Sequence, residues 1–249
     1  MNALASIAAA VPFRPRDPQK YNPAIGLIGC GGITKHHLEA YRAAGYRVTA
    51  LSDIDRAAAE KQRAAFYPEA KVFTDHRDLL RLEEIEVVDI ATHPPVRPPL
   101  IEDALRAGKH VLSQKPFVLD LEVGRRLADL ADAVDRRLAV NQNGRWAPHF
   151  SFMREAVAAG LIGQVSGVHL SVHWDHSWVR GTEFEKIHHL ILYDYAIHWF
   201  DMVCCLLAPR RALRVYASTA RTASQTISPP LLGQALIEFE DAQATLAFD

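Results

Sequence analysis

The run Ala24-Ile-Gly-Leu-Ile28, followed at once by Gly29-Cys-Gly-Gly-Ile-Thr34, constrains this chain more than any other feature. Five small or apolar residues in a row suit a short strand buried on both faces. The glycines behind it suit a tight turn, and residues 33–44 carry helical spacing that stops at Gly45. The pattern then repeats. Residues 47–51, 71–73, 87–91, 111–112 and 138–140 read as strands; residues 55–66, 100–107 and 120–134 read as helices between them, with Asp55 as an N-cap. Strand and helix in alternation predict parallel βαβ units and a doubly wound α/β sheet.

The rhythm changes after Gly144. A helix is expected over 150–159. Residues 164–174 alternate, with Val165, Val168, Leu170 and Val172 among polar or small partners, as in a sheet with one covered face. A polar, aromatic loop follows over 175–186. A long helix is expected over 189–207, stopping before Pro209. Further strands are expected over 213–218, 234–239 and 244–248. The chain stops inside the last of these, and an unpaired strand there predicts an exposed edge, with a natural end missing or a partner chain covering it. Residues 1–23 hold Pro12, Pro15, Pro18 and Pro23 and read as an arm laid over the surface. The expected organisation is therefore an arm over 1–23, a first domain over 24–143 and a second, incomplete α/β domain over 144–249.

Composition excludes several classes. With 249 residues, 49 % of them hydrophobic, the chain can bury a large core. A net charge of −1 and the lack of a basic stripe argue against nucleic acid as a partner. No apolar run is long enough to span a membrane. Three cysteines, Cys30, Cys204 and Cys205, are too few for a disulfide framework and are spaced for neither zinc nor a redox pair. A reducing, cytoplasmic setting follows. The apolar start lacks the basic segment that opens a signal peptide.

Three clusters carry chemistry. In the first, Gly29 permits the tight turn, and Gly31, with Gly32 and Ile33 beside it, lets backbone approach a pyrophosphate at the N-terminus of the next helix. Thr34 stands where glycine or alanine would pack the helix closest, which predicts looser packing there. Asp53 ends the second strand, placed to accept hydrogen bonds from ribose hydroxyls and to repel a 2′-phosphate, so NAD is expected rather than NADP. Thr92 and Gln114, at later strand ends, join the candidate cofactor edge. The second cluster is Gln114-Lys-Pro116, where Lys115 at a strand end can hold an oxygen or move a proton. The third is Asp194, His198 and Asp201, which fall on one face of a regular helix. A carboxylate one turn from a histidine can orient the ring for proton transfer; Asp201 is expected to pack against a neighbour. Arg145, Trp146, Trp174, His176, Trp178 and Arg180 are candidates for substrate walls. His173, His176, His188 and His189 lack any metal-ligand spacing, and no metal is expected.

The anchors Ile28-Gly-Cys-Gly-Gly-Ile33, Ala107-Gly-Lys-His-Val111, Gln114-Lys-Pro116, Ala159-Gly-Leu-Ile-Gly163 and Asp194-Tyr-Ala-Ile-His-Trp-Phe-Asp201 occur in one order. In these the chain resembles the Gfo/Idh/MocA oxidoreductases. The resemblance implies an N-terminal Rossmann domain and a C-terminal α/β domain on a large open, mainly antiparallel sheet. It implies NAD(P)-linked hydride transfer to or from a sugar, an inositol or a related polyol. Lys115 matches the lysine of the family's Glu-Lys-Pro motif; Asp194 and His198 match its acid and histidine pair. Gln114 replaces the usual glutamate, and His188-His189 replaces a glycine-rich turn. Chains of this kind are expected as homodimers or homotetramers joined through the open face of the second sheet. The rival expectation is an NAD-binding sensor or regulatory subunit without turnover, since Gln114 removes a charge beside Lys115.

Overall fold

The structure is a computed structural model and describes residues 11–249. It divides into two compact units, one over residues 17–141, the other over 142–249 together with the stretch before Asp17.

The first unit is a six-stranded sheet. Its strands are β1 (Ala24–Ile28), β2 (Arg47–Ser52), β3 (Lys71–Phe73), β4 (Ile85–Ile90), β5 (His110–Gln114) and β6 (Leu138–Asn141). All pairings are parallel, in the order β3-β2-β1-β4-β5-β6. That order reverses between β1 and β4, where ligands of such sheets bind. The helices are α1 (Thr34–Ala43), α2 (Arg56–Phe66), α3 (His76–Leu80), α4 (Arg97–Arg106) and α5 (Leu121–Ala133). Alternate residues of β1 feed opposite layers. Ile25 and Leu27 pack with Leu38 of α1 and Ala59 of α2, whereas Ile28 packs in the layer with Leu79, Ile101 and Leu127. Apolar side chains on both faces make this a doubly wound sheet, as the sequence predicts. Asp55, Asp75 and Asp120 each accept a backbone N–H as N-caps of α2, α3 and α5. Helix α3, a single short turn, has too few residues to show a period and is not foreseen. Lys109, also unforeseen as a core residue, buries its ammonium and donates to the Leu82 and Ile85 carbonyls at 2.9 and 2.8 Å. Burial pushes that ammonium below the usual lysine range.

The second unit holds α6 (Pro148–Ala158), β7 (Gly167–Val172), α7 (Ile197–Leu207), β8 (Ala212–Ala220), β9 (Leu232–Phe239) and β10 (Gln243–Phe248). The sheet order is β7-β10-β9-β8; β10 runs parallel to β7, and the other two pairings are antiparallel. Ala235 and Ile237 of β9 and Ala244, Leu246 and Phe248 of β10 share one face, covered by Met202, Val203, Leu206 and Leu207 of α7. Two expectations are corrected here. The last strand is not an edge: β10 lies between β7 and β9, and the edges are β7 and β8. The helix expected over 189–207 is also not continuous. Residues Ile191–Tyr195 form a π turn, and the regular helix starts only at Ile197. An arm over 1–23 falls partly outside the described residues. Within them, Val11 is buried, Phe13 meets Phe152 edge-on at 5.8 Å, and the Phe13 carbonyl accepts the Ser151 hydroxyl at 2.5 Å.

The central position of β10 makes a sharp test. Leu246, 2 % exposed, should lose about 2–5 kcal/mol of unit stability on substitution by alanine. Val215 on edge strand β8 is 61 % exposed, and Val215→Thr should change stability by no more than about 0.5 kcal/mol. All four tryptophans fall in the second unit, so urea unfolding followed by tryptophan fluorescence reports on it selectively.

Candidate functional site

The first unit gathers the glycine turn, Asp53, Thr92, Gln114 and Lys115 at the carboxyl edge of one parallel sheet. β1 delivers Gly29, whose N–H donates to the Ser52 carbonyl at the end of β2 at 2.8 Å. Its φ of +95° suits glycine. A Cβ there would also lie 2.8 Å from the Thr92 methyl and 3.0 Å from the Ala91 backbone. Glycine is thus required twice over, by conformation and by the closeness of the β4 end. Gly31, Gly32 and Ile33 are exposed, and a Cβ on Gly31 or Gly32 would meet nothing within 4 Å. No side chain caps α1, whose N-cap is Ile33. Its first N–H groups therefore lack side-chain acceptors and face an open approach, the arrangement that receives an anion.

Thr34 does not loosen the turn. It is fully buried, and its hydroxyl donates to the Gly29 carbonyl at 2.6 Å. That bond ties the helix start to the glycine that glycine or alanine at 34 would leave unbound. Asp53 braces the same turn, accepting the Cys30 N–H at 2.6 Å on one oxygen and the Asp55 N–H at 2.8 Å on the other. Each carboxylate oxygen still has a free lone pair for a hydroxyl donor. Burial, with Asp53 adding repulsion, pushes the Cys30 thiol up to about 12. Cys30 is therefore a protonated packing residue at neutral pH. The buried Thr92 hydroxyl has no hydrogen-bond partner among the described residues. A helix terminus without a side-chain cap, a carboxylate with spare lone pairs and an unsatisfied hydroxyl on one edge fit a dinucleotide.

Lys115 follows directly on β5, and its bond to Pro116 is cis. Its N–H donates to the Oε1 atom of Gln114 at 2.7 Å. Arg97, 1 % exposed at the start of α4, donates to the carbonyls of Thr92, Gln114 and Pro116. Behind Gln114 lies a polar string that sequence reasoning does not single out. The Gln114 amide nitrogen meets His37 Nε2 at 2.9 Å, and the Asn141 amide nitrogen meets the same atom at 3.3 Å. His37 Nδ1 lies 2.7 Å from Asp89 Oδ2, which also accepts the Tyr41 hydroxyl at 2.8 Å. Desolvation, then Asp89, raises the Tyr41 phenol far above its ordinary range, so it is a fixed donor. One sequence signal was available: Asp89 interrupts the apolar strand Val87-Val-Asp-Ile-Ala91, where a charge must have partners.

Asp194 and His198 belong to the second unit. Asp194 sits in the π turn and His198 in the first turn of α7, so they do not share a regular helix face. Such turns recur at functional sites. His198 lies against the backbone of Gly144, where a Cβ would be 3.0 Å from Nδ1. Arg145 donates to both oxygens of Asp201, with Nε at 2.8 Å, and pins the turn Asn143–Trp146 to α7. That hydrogen bond, partly opposed by burial, holds the guanidinium above its usual range. The fork of Arg145 is thus committed to Asp201. The backbone at Gly144 leaves room for the His198 ring.

The remaining candidates spread over this unit. Trp146 is half exposed, with the Arg154 guanidinium 4.8 Å from its ring centre. His176 is buried; its Nδ1 lies 2.8 Å from the Trp174 carbonyl, and its ring is 4.2 Å from Tyr195. Trp174, exposed, meets Tyr195 edge-on at 5.7 Å. Both line an open cavity of about 580 Å³ with Ser177, Gln225 and Leu231. Trp178 packs on Phe184 instead, and Arg180 donates to the Thr226 hydroxyl. Neither lines that cavity.

Known proteins agree with this architecture. Solved structures share the fold at low identity. The WlbA dehydrogenase from Bordetella pertussis, in complex with NADH and UDP-GlcNAcA, is 23 % identical with a TM-score of 0.76, covering 92 % of this chain and 72 % of its own. An oxidoreductase from Agrobacterium radiobacter in complex with NAD+, L-tartaric acid and magnesium is 21 % identical with a TM-score of 0.83, covering 92 % and 67 %. Among sequences, D-apiose dehydrogenase of Paraburkholderia graminis is 31 % identical over 202 residues, 80 % of this chain and 52 % of that protein. Inositol 2-dehydrogenase of Paracoccus denitrificans is 31 % identical over 186 residues, 74 % and 54 %. This chain therefore spans about half the length of these relatives. Residues 24–142 match the GFO_IDH_MocA family, an oxidoreductase family with an NAD-binding Rossmann fold, and residues 150–249 match the GFO/IDH/MocA C-terminal domain. With both parts matched in order, the chain belongs to the Gfo/Idh/MocA oxidoreductases.

Proposed function

We propose that this protein is an NAD-dependent dehydrogenase that oxidises a secondary alcohol of a sugar, inositol or related polyol. The observation that carries the reading is the single sheet edge joining the N-terminus of α1, which has no side-chain cap, with Asp53 and Lys115. The D-apiose and inositol dehydrogenase relatives support the substrate class.

The glycine turn and the N-terminus of α1 hold the pyrophosphate, and Asp53 takes the ribose hydroxyls. Bound there, the nicotinamide supplies a hydride acceptor. Lys115 donates to the reacting oxygen and keeps it in place. His198 takes the hydroxyl proton as the carbon gives up its hydride, and the alcohol becomes a carbonyl. Asp194 orients His198. Trp174 and His176 present an aromatic wall with polar edges, the surface a polyol needs.

NAD should bind more tightly than NADP, because the Asp53 carboxylate repels a 2′-phosphate. Calorimetry with both nucleotides on the wild type and Asp53→Ala tests this; the gap should narrow in the variant. Equal affinities in the wild type would remove the argument.

Turnover is tested by screening sugars and polyols for NADH formation. Lys115→Ala and His198→Ala should each lower kcat by about 10²–10⁴-fold while leaving NAD affinity nearly unchanged. His198→Ala should also flatten the pH dependence of kcat, and Asp194→Asn should do less harm. Full turnover in both alanine variants would sink these assignments.

We further infer that copies of the chain pair through the open face of the β7-β10-β9-β8 sheet. Tyr216 of β8 and Leu236 of β9 stand opposite each other on that face, 68 % and 38 % exposed. A self-complementary apolar patch with polar surroundings suits a twofold interface. Light scattering should find a dimer or tetramer, and Tyr216→Asp with Leu236→Asp should dissociate it. A monodisperse wild-type monomer would overturn the inference.

A further inference from the structure

The string behind Lys115 has a single consistent proton assignment. The Lys115 N–H can only donate, so the Gln114 atom 2.7 Å away must be the carbonyl oxygen. The NH2 group of Gln114 then faces His37 Nε2 at 2.9 Å, and an NH2 group can only donate. His37 Nε2 must therefore accept, a role that the second NH2 group, from Asn141, reinforces. The ring proton sits on Nδ1 and is donated to Asp89 Oδ2 at 2.7 Å. Every donor in the string has an acceptor only when His37 is the neutral Nδ1–H tautomer.

We propose that Asp89, His37 and Gln114 form a buried relay that positions Lys115, and that a proton on His37 Nε2 releases it. This rests on the reading of Lys115 as the group that holds the reacting oxygen. His37 and Gln114 are positioning residues, since neither needs to touch substrate. The groups facing His37 are Asp89 from β4, Gln114 from β5 and Asn141 from β6, with Tyr41 of its own helix sharing Asp89. Asp89 is the charged one among them. A proton on Nε2 turns that acceptor into a donor. It then opposes two NH2 groups, and only rotation of the Gln114 amide restores a bond. Rotation takes Oε1 away from the Lys115 N–H. The lysine keeps its chain path through Arg97, which holds the carbonyls on either side, but loses the bond that fixes its amide.

The same logic gives the glutamine a reason. A glutamate at 114 would offer acceptors to both neighbours. His37 would then have to carry protons on both nitrogens, as an imidazolium between two carboxylates. Glutamine and a neutral histidine are matched; glutamate calls for the charged ring.

Nitrogen-15 spectra of histidine-labelled full chain test this, with the His37 signals assigned by their loss in His37→Asn. At neutral pH the wild type should show the neutral Nδ1–H tautomer at His37, and Gln114→Glu should show both nitrogens protonated. An Nε2–H tautomer or an imidazolium in the wild type overturns the relay, as does an unchanged ring in Gln114→Glu. Hydrogen exchange at the Lys115 amide gives an independent readout. Its protection should fall about fivefold on acidification, and by as much in Gln114→Ala at neutral pH. Protection indifferent to both changes overturns the proposal. These readouts need neither nucleotide nor turnover. If they hold while Lys115→Ala remains fully active, the dehydrogenase reading falls and the relay stands as a local device; if they fail while Lys115→Ala is inactive, the relay alone falls.

Discussion

A parallel sheet covered on both faces leaves little water for a charge, and besides Lys109 this one buries two near its carboxyl edge. Asp89 is 0 % exposed near the end of β4, and Arg97 is 1 % exposed at the start of α4. An ionised group in such a place costs several kcal/mol unless hydrogen bonds satisfy it. Each finds partners at the carboxyl edge of the sheet, those of Asp89 all on Oδ2. Arg97 spans the carbonyls after β4 and around Lys115, and Asp89 holds His37 and Tyr41. The cost of burying them is offset only if those partners stay put. The edge that receives the ligand is thus made rigid from behind, by groups that the ligand does not touch.

The glycine turn applies the same economy with no charge of its own. Gly29 lets the ends of β1 and β4 approach, Thr34 ties α1 to the Gly29 carbonyl, and Asp53 takes the Cys30 N–H. Each bond satisfies a loop group that would otherwise need water. The α1 terminus has no side-chain cap, and its Thr34 and His36 N–H groups meet only the Gly31 and Ile33 carbonyls, at 3.3 and 3.0 Å. A threonine in place of glycine or alanine is consistent with this, since its hydroxyl supplies the contact that close packing would have given.

Much of this was legible because it follows from local pattern. Consecutive apolar strands, the glycine turn and Asp55 as a cap each carry a signal within a few residues, and the six parallel strands follow from their alternation with helices. The second unit was harder. Its helix was expected to run straight through Ile191–Tyr195, since Asp194 and His198 have i, i+4 spacing; a π turn leaves the same apolar pattern and shifts only the phase. The position of β10 was missed because sequence gives the order of strands along the chain, not in the sheet. The exchange of Arg145 from a ligand candidate to the partner of Asp201 is a contact over 56 residues, beyond any local reading. His37 carries no local signal for another reason. On a helix face with Leu38 and Thr34, a lone histidine looks like a core residue, and only Asp89, Gln114 and Asn141 from three strands give it a task.

Gln114 then changes meaning. Beside a lysine, the loss of a glutamate reads as lost charge and so as weakened chemistry. In the folded edge, the side chain at 114 stands between a backbone donor and a histidine, and its charge is linked to the histidine's. With glutamine the string carries one negative charge, on Asp89, and His37 is neutral. With glutamate a second negative charge would enter, and a proton on His37 would cancel it. The net charge behind Lys115 is the same in both cases, because the buried edge tolerates one unbalanced carboxylate far better than two. The substitution therefore alters where a proton resides and keeps the net charge of the string, while the charge nearest Lys115 changes. A residue that looks like a departure from its family is, in this surrounding, one half of a matched pair whose other half lies 77 positions earlier in the chain.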